Sequence, residues 1–344
     1  MAAQSKKSKL NYSEEVRALR SGGPERLYLL YGEEDYLREQ FLSEIKKLCL
    51  GGADDFNYRR TDSPALDLSA LERDVDAMPF MGERTLIELR GVDINRIRDA
   101  ALERLTAIVS DIPDYCTVVF VIDSGYSPDG RLGSVKMLKK HGRALEFSVQ
   151  EQSQLTVWVT RRYSALGKRI SRADAEHMIF VSGSLMTRLI PEIEKVASYA
   201  AGDTVTAADI DAAAQRIPEA NVFEMTEMTA SGNYDGAARV LSELLDAREA
   251  PIMLLALIAQ QFRRLYAVAL CAEAGAGADK MKELTEVKYD FILTKLRAAA
   301  RRRIAAQLAF AVSLCAEYDY RMKSGGEDEE ELIKELLARL AAGV

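Results

Sequence analysis

Along the first 150 positions the apolar residues switch between two periods. Arg26–Tyr31 (RLYLLY) is a short apolar run stopped by Gly32, the pattern of a strand. Apolar residues then recur at Leu37, Phe41, Ile45 and Leu48, one face of a helix. Phe56–Thr61 reads as a second strand, and Leu68, Leu71, Val75 and Met78 mark the next helix face. Thr85–Leu89 is a strand pattern, followed by a helix face at Ile97, Ala101, Leu105 and Ile108. Cys116–Asp123 (CTVVFVID) is apolar nearly throughout, as a strand covered on both faces of a parallel sheet must be. Leu132–Lys140 and Ala144–Ser148 supply a last helix and strand. The alternation predicts βαβ units and a mostly parallel sheet.

Strand signals stop near residue 150. Gln154–Ala165, which holds the only tryptophan (Trp158), reads as helix; Ser171 opens another, and Leu185–Tyr199 is a third. Thr206-Ala-Ala-Asp209 has the layout of a capping box, with Asp where Glu or Gln is usual. Ile217-Pro218-Glu219 reads as a linker, and from Asn221 onward every segment reads as helix. Pro251 suits the first turn of Ile252–Leu270, and Gly232, Gly275 and Gly277 punctuate the others. No fixed-period repeat points to a solenoid. The predicted architecture is an α/β domain over residues 1–150, a small all-α domain over 151–216 and a larger all-α domain over 217–344.

Composition narrows the function classes. Over 344 residues, 48% are hydrophobic and 29% charged, an ordinary globular balance. A net charge of −7 argues against a chain that holds DNA by itself, so any DNA contact is local or shared. Cys49, Cys116, Cys271 and Cys315 show no CxxC spacing, which predicts neither a zinc site nor a disulfide framework and fits a reducing compartment. The opening MAAQSKKSKL leads into no apolar segment, and no apolar run nears the ~18 residues of a membrane span. The expectation is a cytoplasmic protein without membrane, metal or cofactor.

A strand, a glycine turn and a helix is where a nucleotide-binding fold keeps its phosphate cradle, built of several glycines with a lysine and a hydroxyl. Here the stretch is Tyr31-Gly32-Glu33-Glu34-Asp35-Tyr36-Leu37. The tandem glycines nearby, Gly22-Gly23 and Gly51-Gly52, sit before the strand or after the helix. Three carboxylates favour a helix N-terminus but meet a triphosphate with like charge. The reading is a nucleotide-binding scaffold without its site, the acids serving as helix caps. His141 follows Lys139 and Lys140 at a helix end, His177 reads as a helix-surface residue, and Asp123 ends the buried strand as a turn residue. None has a catalytic pattern around it. An enzyme or small-ligand binder on a Rossmann-like sheet, with its site at Gly32 or Asp123, is the alternative. A helical scaffold with the sheet as a platform is a further one.

Several segments, in order, resemble one known family. They are Leu27–Gln40 (LYLLYGEEDYLREQ), Ala77–Leu89 (AMPFMGERTLIEL), Val118–Gly142 with Arg131, Lys136, Lys139 and Lys140, Leu189–Gly202, Ile217–Met225, Pro251–Leu265 and Tyr318–Gly325. Together they span roughly residues 26–326 and resemble the delta-subunit family of the bacterial clamp loader, part of the DNA polymerase III holoenzyme. The resemblance implies an AAA+-like α/β domain without a phosphate loop, a small helical domain and a C-terminal helical collar. It implies a subunit that binds and opens the sliding clamp for loading onto primed DNA, with ATP handled by other subunits and the collar joining them. The matching clamp-contact residues are Met78, Pro79, Phe80 and Met81. Without the resemblance, Met78 and Phe80 read as packing a helix-to-strand corner, with Leu71 and Val75 in the core. For DNA the choices are Lys136, Lys139 and Lys140, or the cluster around Arg301 and Arg302, which Glu327–Glu331 is placed to neutralise. Arg131 and Arg143 are candidates to act in a neighbour's ATP site.

Overall fold

Buried strands frame the first part of the chain. The computed structural model describes residues 10–51, 54–287 and 290–343. The lysine-bearing residues 1–9 and the second of the tandem glycines, Gly52, lie outside that set. The chain divides into two units, one running through Glu151 with Leu185–Ile190 added, the other comprising Gln152–Ser184 and the residues from Pro191 on.

In the first unit, α1 (Tyr12–Gly22) leads into β1 (Leu27–Tyr31), then α2 (Asp35–Leu50), α3 (Asp54–Asn57), β2 (Tyr58–Asp62), α4 (Leu68–Asp76), β3 (Thr85–Arg90), α5 (Asp99–Ser110), β4 (Cys116–Val121), α6 (Gly133–His141) and β5 (Arg143–Glu146). The strands form one sheet in the order β2-β3-β4-β1-β5, with every pairing parallel. Successive residues point to opposite faces. Leu27, Leu29, Ile87, Leu89, Val118 and Phe120 therefore pack with Leu71 and Val75 of α4, Leu105 of α5 and Leu138 of α6. On α2, Leu37, Phe41 and Ile45 are buried as the spacing predicts, but Leu48 is exposed and Cys49 takes the inward position. Phe41 packs against the rings of Tyr28 and Phe147.

The edge strand β2 is mostly exposed and needs another anchor. It comes from Glu88 of β3, fully buried, which accepts from the Tyr58 hydroxyl at 2.6 Å and Arg90 Nε at 2.9 Å and pairs with Lys46 Nζ at 2.7 Å. Burial pushes the Glu88 carboxyl up, yet these three donors outweigh it and hold it below its ordinary value. The strand expected at Phe56 begins two residues later. Phe56 and Asn57 end α3 instead.

The second unit holds α7 (Gln152–Ala165), β6 (Arg169–Ile170), α8 (Arg172–Ser182), α9 (Met186–Tyr199, whose first turn belongs to the first unit), β7 (Thr204–Val205), α10 (Ala207–Ala213), α11 (Pro218–Ser231), α12 (Tyr234–Asp246), α13 (Pro251–Glu273), α14 (Ala278–Thr285), α15 (Asp290–Ala300), α16 (Ala305–Ser324) and α17 (Glu329–Gly343). The β6–β7 pair is a small parallel sheet where only helix was expected. Two residues per strand are too few for a periodicity signal. The capping box at Thr206 forms as read, with Asp209 in the reciprocal role. His177 is half-buried, with Nε2 2.9 Å from Asp211 Oδ1 and its ring edge-on to Phe291, rather than a plain surface residue.

Helix α13 corrects one expectation. Its 23 residues are long and apolar enough to cross a membrane by length and composition. Here Leu254, Leu255, Ile258, Phe262, Leu265 and Val268 are buried against α11, α14, α15, α16 and α17, as the central helix of this unit.

Candidate protein-docking site

Two loops at the sheet edges carry the residues singled out by sequence. The first follows β1. Three residues, Gly32, Glu33 and Glu34, separate the strand from α2, and they are tied down locally. Gly32 has φ +125°, and a Cβ there would lie 2.3 Å from the carbonyl oxygen of Phe147. That same oxygen accepts from Glu34 N at 2.9 Å. Arg38, itself buried, donates from Nη1 to Gly32 O at 3.0 Å and pairs through Nη2 with Asp35 at 2.6 Å.

Glu34 departs from the capping role expected of it. It stands at the N-cap without a side-chain cap bond, and its carboxylate is buried instead. Oε2 accepts from Met186 N at 3.3 Å, and Oε1 has no hydrogen-bond partner among the described residues. Burial pushes this carboxyl up to about 7. At the end of β4, Asp123 is exposed and lies beside Gly91.

The second loop connects α4 to β3. Helix α4 is capped at its start by Asp67, which accepts from Ser69 N and Ala70 N, and it buries Leu71 and Val75. It ends at Asp76, and Ala77 is already extended. Pro79 biases Met78 away from helical backbone, so the chain leaves the helix for an irregular segment. Met78 is 81% exposed, Phe80 55% and Met81 89%. Pro79 is half-buried. Met78 and Phe80 therefore do not pack the helix-to-strand corner, which Leu71 and Val75 fill. Met81 adopts φ +52°, the left-handed region an L-residue seldom occupies.

Phe80 is held by its backbone. The Asn57 side chain donates from Nδ2 to Phe80 O at 2.9 Å and accepts from Phe80 N at 2.6 Å. Asn57 is buried, while its neighbour Phe56 is 67% exposed with its ring 5.5 Å from that of Phe80. The large apolar side chains exposed on the described part of the first unit are Leu48, Phe56, Met78, Phe80 and Met81. Four of the five come from this loop and the residue stacked on it. Such a concentration differs from the singly scattered apolar residues that are ordinary on a protein surface.

Phe56 and Asn57 escaped the sequence reading. An apolar residue beside a strand reads as core, and an amide 23 positions from its partner leaves no local trace. The parallel register holds the only hint: Tyr58 opposes Leu86, so the segments entering β2 and β3 lie side by side.

The basic candidates sit elsewhere. Lys136, Lys139 and Lys140 are exposed on α6, with Lys139 Nζ 5.3 Å above the Tyr31 ring. Arg301 and Arg302 are exposed in the turn after α15. The rest of that cluster is committed: Lys295 to Glu227 at 3.2 Å, and Arg303 to the carbonyls of Thr229 and Ala230. Both ends of the acidic run are committed as well, Glu327 to Arg321 and Glu331 to Lys334. It does not neutralise the arginines as expected. Arg131 is bound to Asp129 and Arg143 to Glu15. Among the described residues no group of three or more His, Cys, Asp or Glu side chains could hold a metal ion.

Comparison with known proteins gives the family. Residues 28–148 match the model of the DNA polymerase III delta subunit, and residues 219–340 match the model of that subunit's C-terminal domain. The DNA polymerase III subunit delta of Bacillus subtilis is 27% identical over 335 residues, covering 94% of this chain and 95% of its own. A probable DNA polymerase III subunit delta from Aquifex aeolicus is 20% identical, with 91% and 90% covered. Among solved structures, the Bacillus subtilis DNA clamp loader delta protein aligns with a TM-score of 0.49 at 24% identity, over 96% of this chain and 99% of that one. The Holliday junction branch migration motor of Thermotoga maritima aligns with a TM-score of 0.41 at 16% identity, over 80% and 85%. The two family models together take in more than half of the sequence, and the chain belongs to the DNA polymerase III delta subunit family.

Proposed function

We propose that this chain is the clamp-loader subunit that grips the sliding clamp and holds it open for loading onto primed DNA. The observation that carries this reading is the exposed apolar cluster on the α4–β3 loop. A few apolar side chains entering a pocket supply most of the affinity in such contacts. Met78, Phe80 and Met81 are the anchors, and Pro79 keeps the loop from continuing the helix. Methionine fits irregular pockets because it is unbranched and polarisable. Opening needs no covalent chemistry: a subunit that binds the open clamp more tightly than the closed one shifts the equilibrium by that difference. The turn after β1 presents bound backbone and carboxylates, which supports a subunit that leaves ATP hydrolysis to its neighbours.

The division into residues 1–150, 151–216 and 217–344 belongs to the same proposal, with the last part as the collar that joins the other loader subunits in the cytoplasm. DNA contact is local, through Lys136, Lys139 and Lys140 or through Arg301 and Arg302. Glutamine at either set should shallow the salt dependence of DNA binding by the assembled loader, by a slope of about one for each phosphate no longer neutralised. The central test is capture of the clamp from the same organism. Wild-type chain should bind, and Met78→Ala with Phe80→Ala should not, at an unchanged melting midpoint. A double variant that binds normally removes the site assignment. A wild-type chain that never binds, or that gives a saturable heat with nucleotide in calorimetry, overturns the function.

A further inference from the structure

We propose that the docking surface is built from two segments, with Phe56 as a further apolar anchor and Asn57 as the positioning residue that splints the α4–β3 loop. This rests on the clamp-docking reading and adds the geometry that makes it work.

The loop between Asp76 and Thr85 has no secondary structure of its own. Left free, it would sample many conformations and would have to be ordered on binding, which lowers affinity. The Asn57 amide removes that freedom at one residue. It satisfies both the N–H and the carbonyl of Phe80, as a paired strand would, from a buried side chain. The next residue, Met81, is held in left-handed backbone, so the chain turns sharply straight after the splint. At Gly82 an added Cβ would lie 2.7 Å from Asn57 Nδ2. That position accepts glycine because the amide needs the space.

The splint also joins α3 to the loop. Phe56 precedes Asn57, is 67% exposed, and stacks on Phe80 at 5.5 Å with the rings inclined by 54°. A phenylalanine left 67% exposed gains little from folding and extends the apolar face that Met78, Phe80 and Met81 present. The occupant follows from the docking reading: the apolar pocket on the clamp that accepts the loop also covers Phe56. The base of the arrangement is β2, fixed to β3 by the buried Glu88 with Lys46 and Tyr58.

Two readouts test this on the full chain with the purified clamp. Asn57→Leu keeps the branched four-heavy-atom side chain and removes both bonds. It should weaken clamp binding about tenfold or more and speed hydrogen exchange of the Phe80 amide in the free chain, which still unfolds in one cooperative transition. Asn57→Asp keeps an acceptor for Phe80 N but no donor for Phe80 O, and should fall between wild type and Asn57→Leu in both. Gly82→Ala should reproduce Asn57→Leu by displacing the amide. Phe56→Ala should weaken binding about tenfold without altering Phe80 exchange, and Phe56→Leu should restore part of it. If Asn57→Leu binds like wild type while Met78→Ala with Phe80→Ala fails to bind, the splint is overturned and the docking loop stands. Unchanged Phe80 exchange in Asn57→Leu overturns the splint whatever the affinity. Normal binding by Phe56→Ala removes the second segment, and a wild-type chain that ignores the clamp overturns both readings.

Discussion

At the carboxyl edge of the sheet, the turn after β1 buries its carboxylate and binds its own backbone; at the amino edge, the loop before β3 exposes its apolar side chains. The strands are all parallel, so these two loops stand at opposite ends of the same layer. In an open α/β sheet the ligand crevice lies at the carboxyl ends of the strands. Here the turn after β1 at that end is filled by protein: Gly32 sits against Phe147, Arg38 reaches back to Gly32, and Glu34 receives Met186 N. The amino end, usually a plain connection, carries the exposed apolar cluster. The contrast teaches that the two ends of one parallel sheet can be finished in opposite ways, one with its backbone polar groups bound internally and the other with apolar side chains left in solvent.

The largest effect should come from breaking the apolar edge. Met78→Ala with Phe80→Ala should reduce clamp affinity by at least ~100-fold, since two buried anchors each contribute on the hot-spot scale. Stability should barely move, because neither side chain is buried. Surface binding with titrated clamp measures the first, and urea unfolding the second. A variant equally impaired in both would show that the loop is part of the core.

The next test breaks the closed edge. Gly32→Ala places a methyl against the Phe147 carbonyl at a backbone angle that favours glycine. It should destabilise the chain by about 2–3 kcal/mol, read as an earlier urea midpoint. Clamp affinity of the folded protein should stay near wild type, because the loop it disturbs is at the other edge. The two variants thus exchange signatures, one losing binding without stability and the other the reverse.

The closed edge was more legible in the sequence than the open one. The strands declared themselves through runs such as Cys116–Asp123, and the lack of a phosphate loop followed from three acids where glycines and a lysine belong. What the residues could not give was the fate of each acid. Glu34 looked like a cap and is buried, because its surroundings come from Phe147 and from Met186, 152 positions away. At the open edge the sequence pointed to Met78 and Phe80 only through resemblance, since a methionine and a phenylalanine beside a helix read first as core. Phe56 was invisible for the same reason, and Asn57 because its partner lies 23 positions away. Their roles depend on β2 lying next to β3, a pairing that no local pattern encodes. Strands β6 and β7 were missed because each is two residues long.

The smallest expected effect concerns Glu34, and its sign distinguishes a buried acid from a cap. Burial raises this carboxyl from its ordinary 4.5 to about 7, outweighing the lowering effect of its hydrogen bond from the Met186 backbone N–H. Below pH 4.5 the group is protonated in both folded and unfolded chains and leaves stability unchanged. Between 4.5 and about 7 the folded chain keeps a proton that the unfolded chain has released, so stability falls as pH rises through that window. Above about 7 the buried carboxylate is ionised and the loss is complete. A helix-capping carboxylate would do the opposite, adding stability as it ionises. Glu34→Gln removes the charge while keeping an acceptor for Met186 N. It should stabilise the chain at pH 8 by on the order of 1–2 kcal/mol and make no difference at pH 4, by urea unfolding at each pH. If Glu34→Gln is instead less stable at pH 8, the acid is serving the helix as a cap, and its burial is not the cost that its contacts describe.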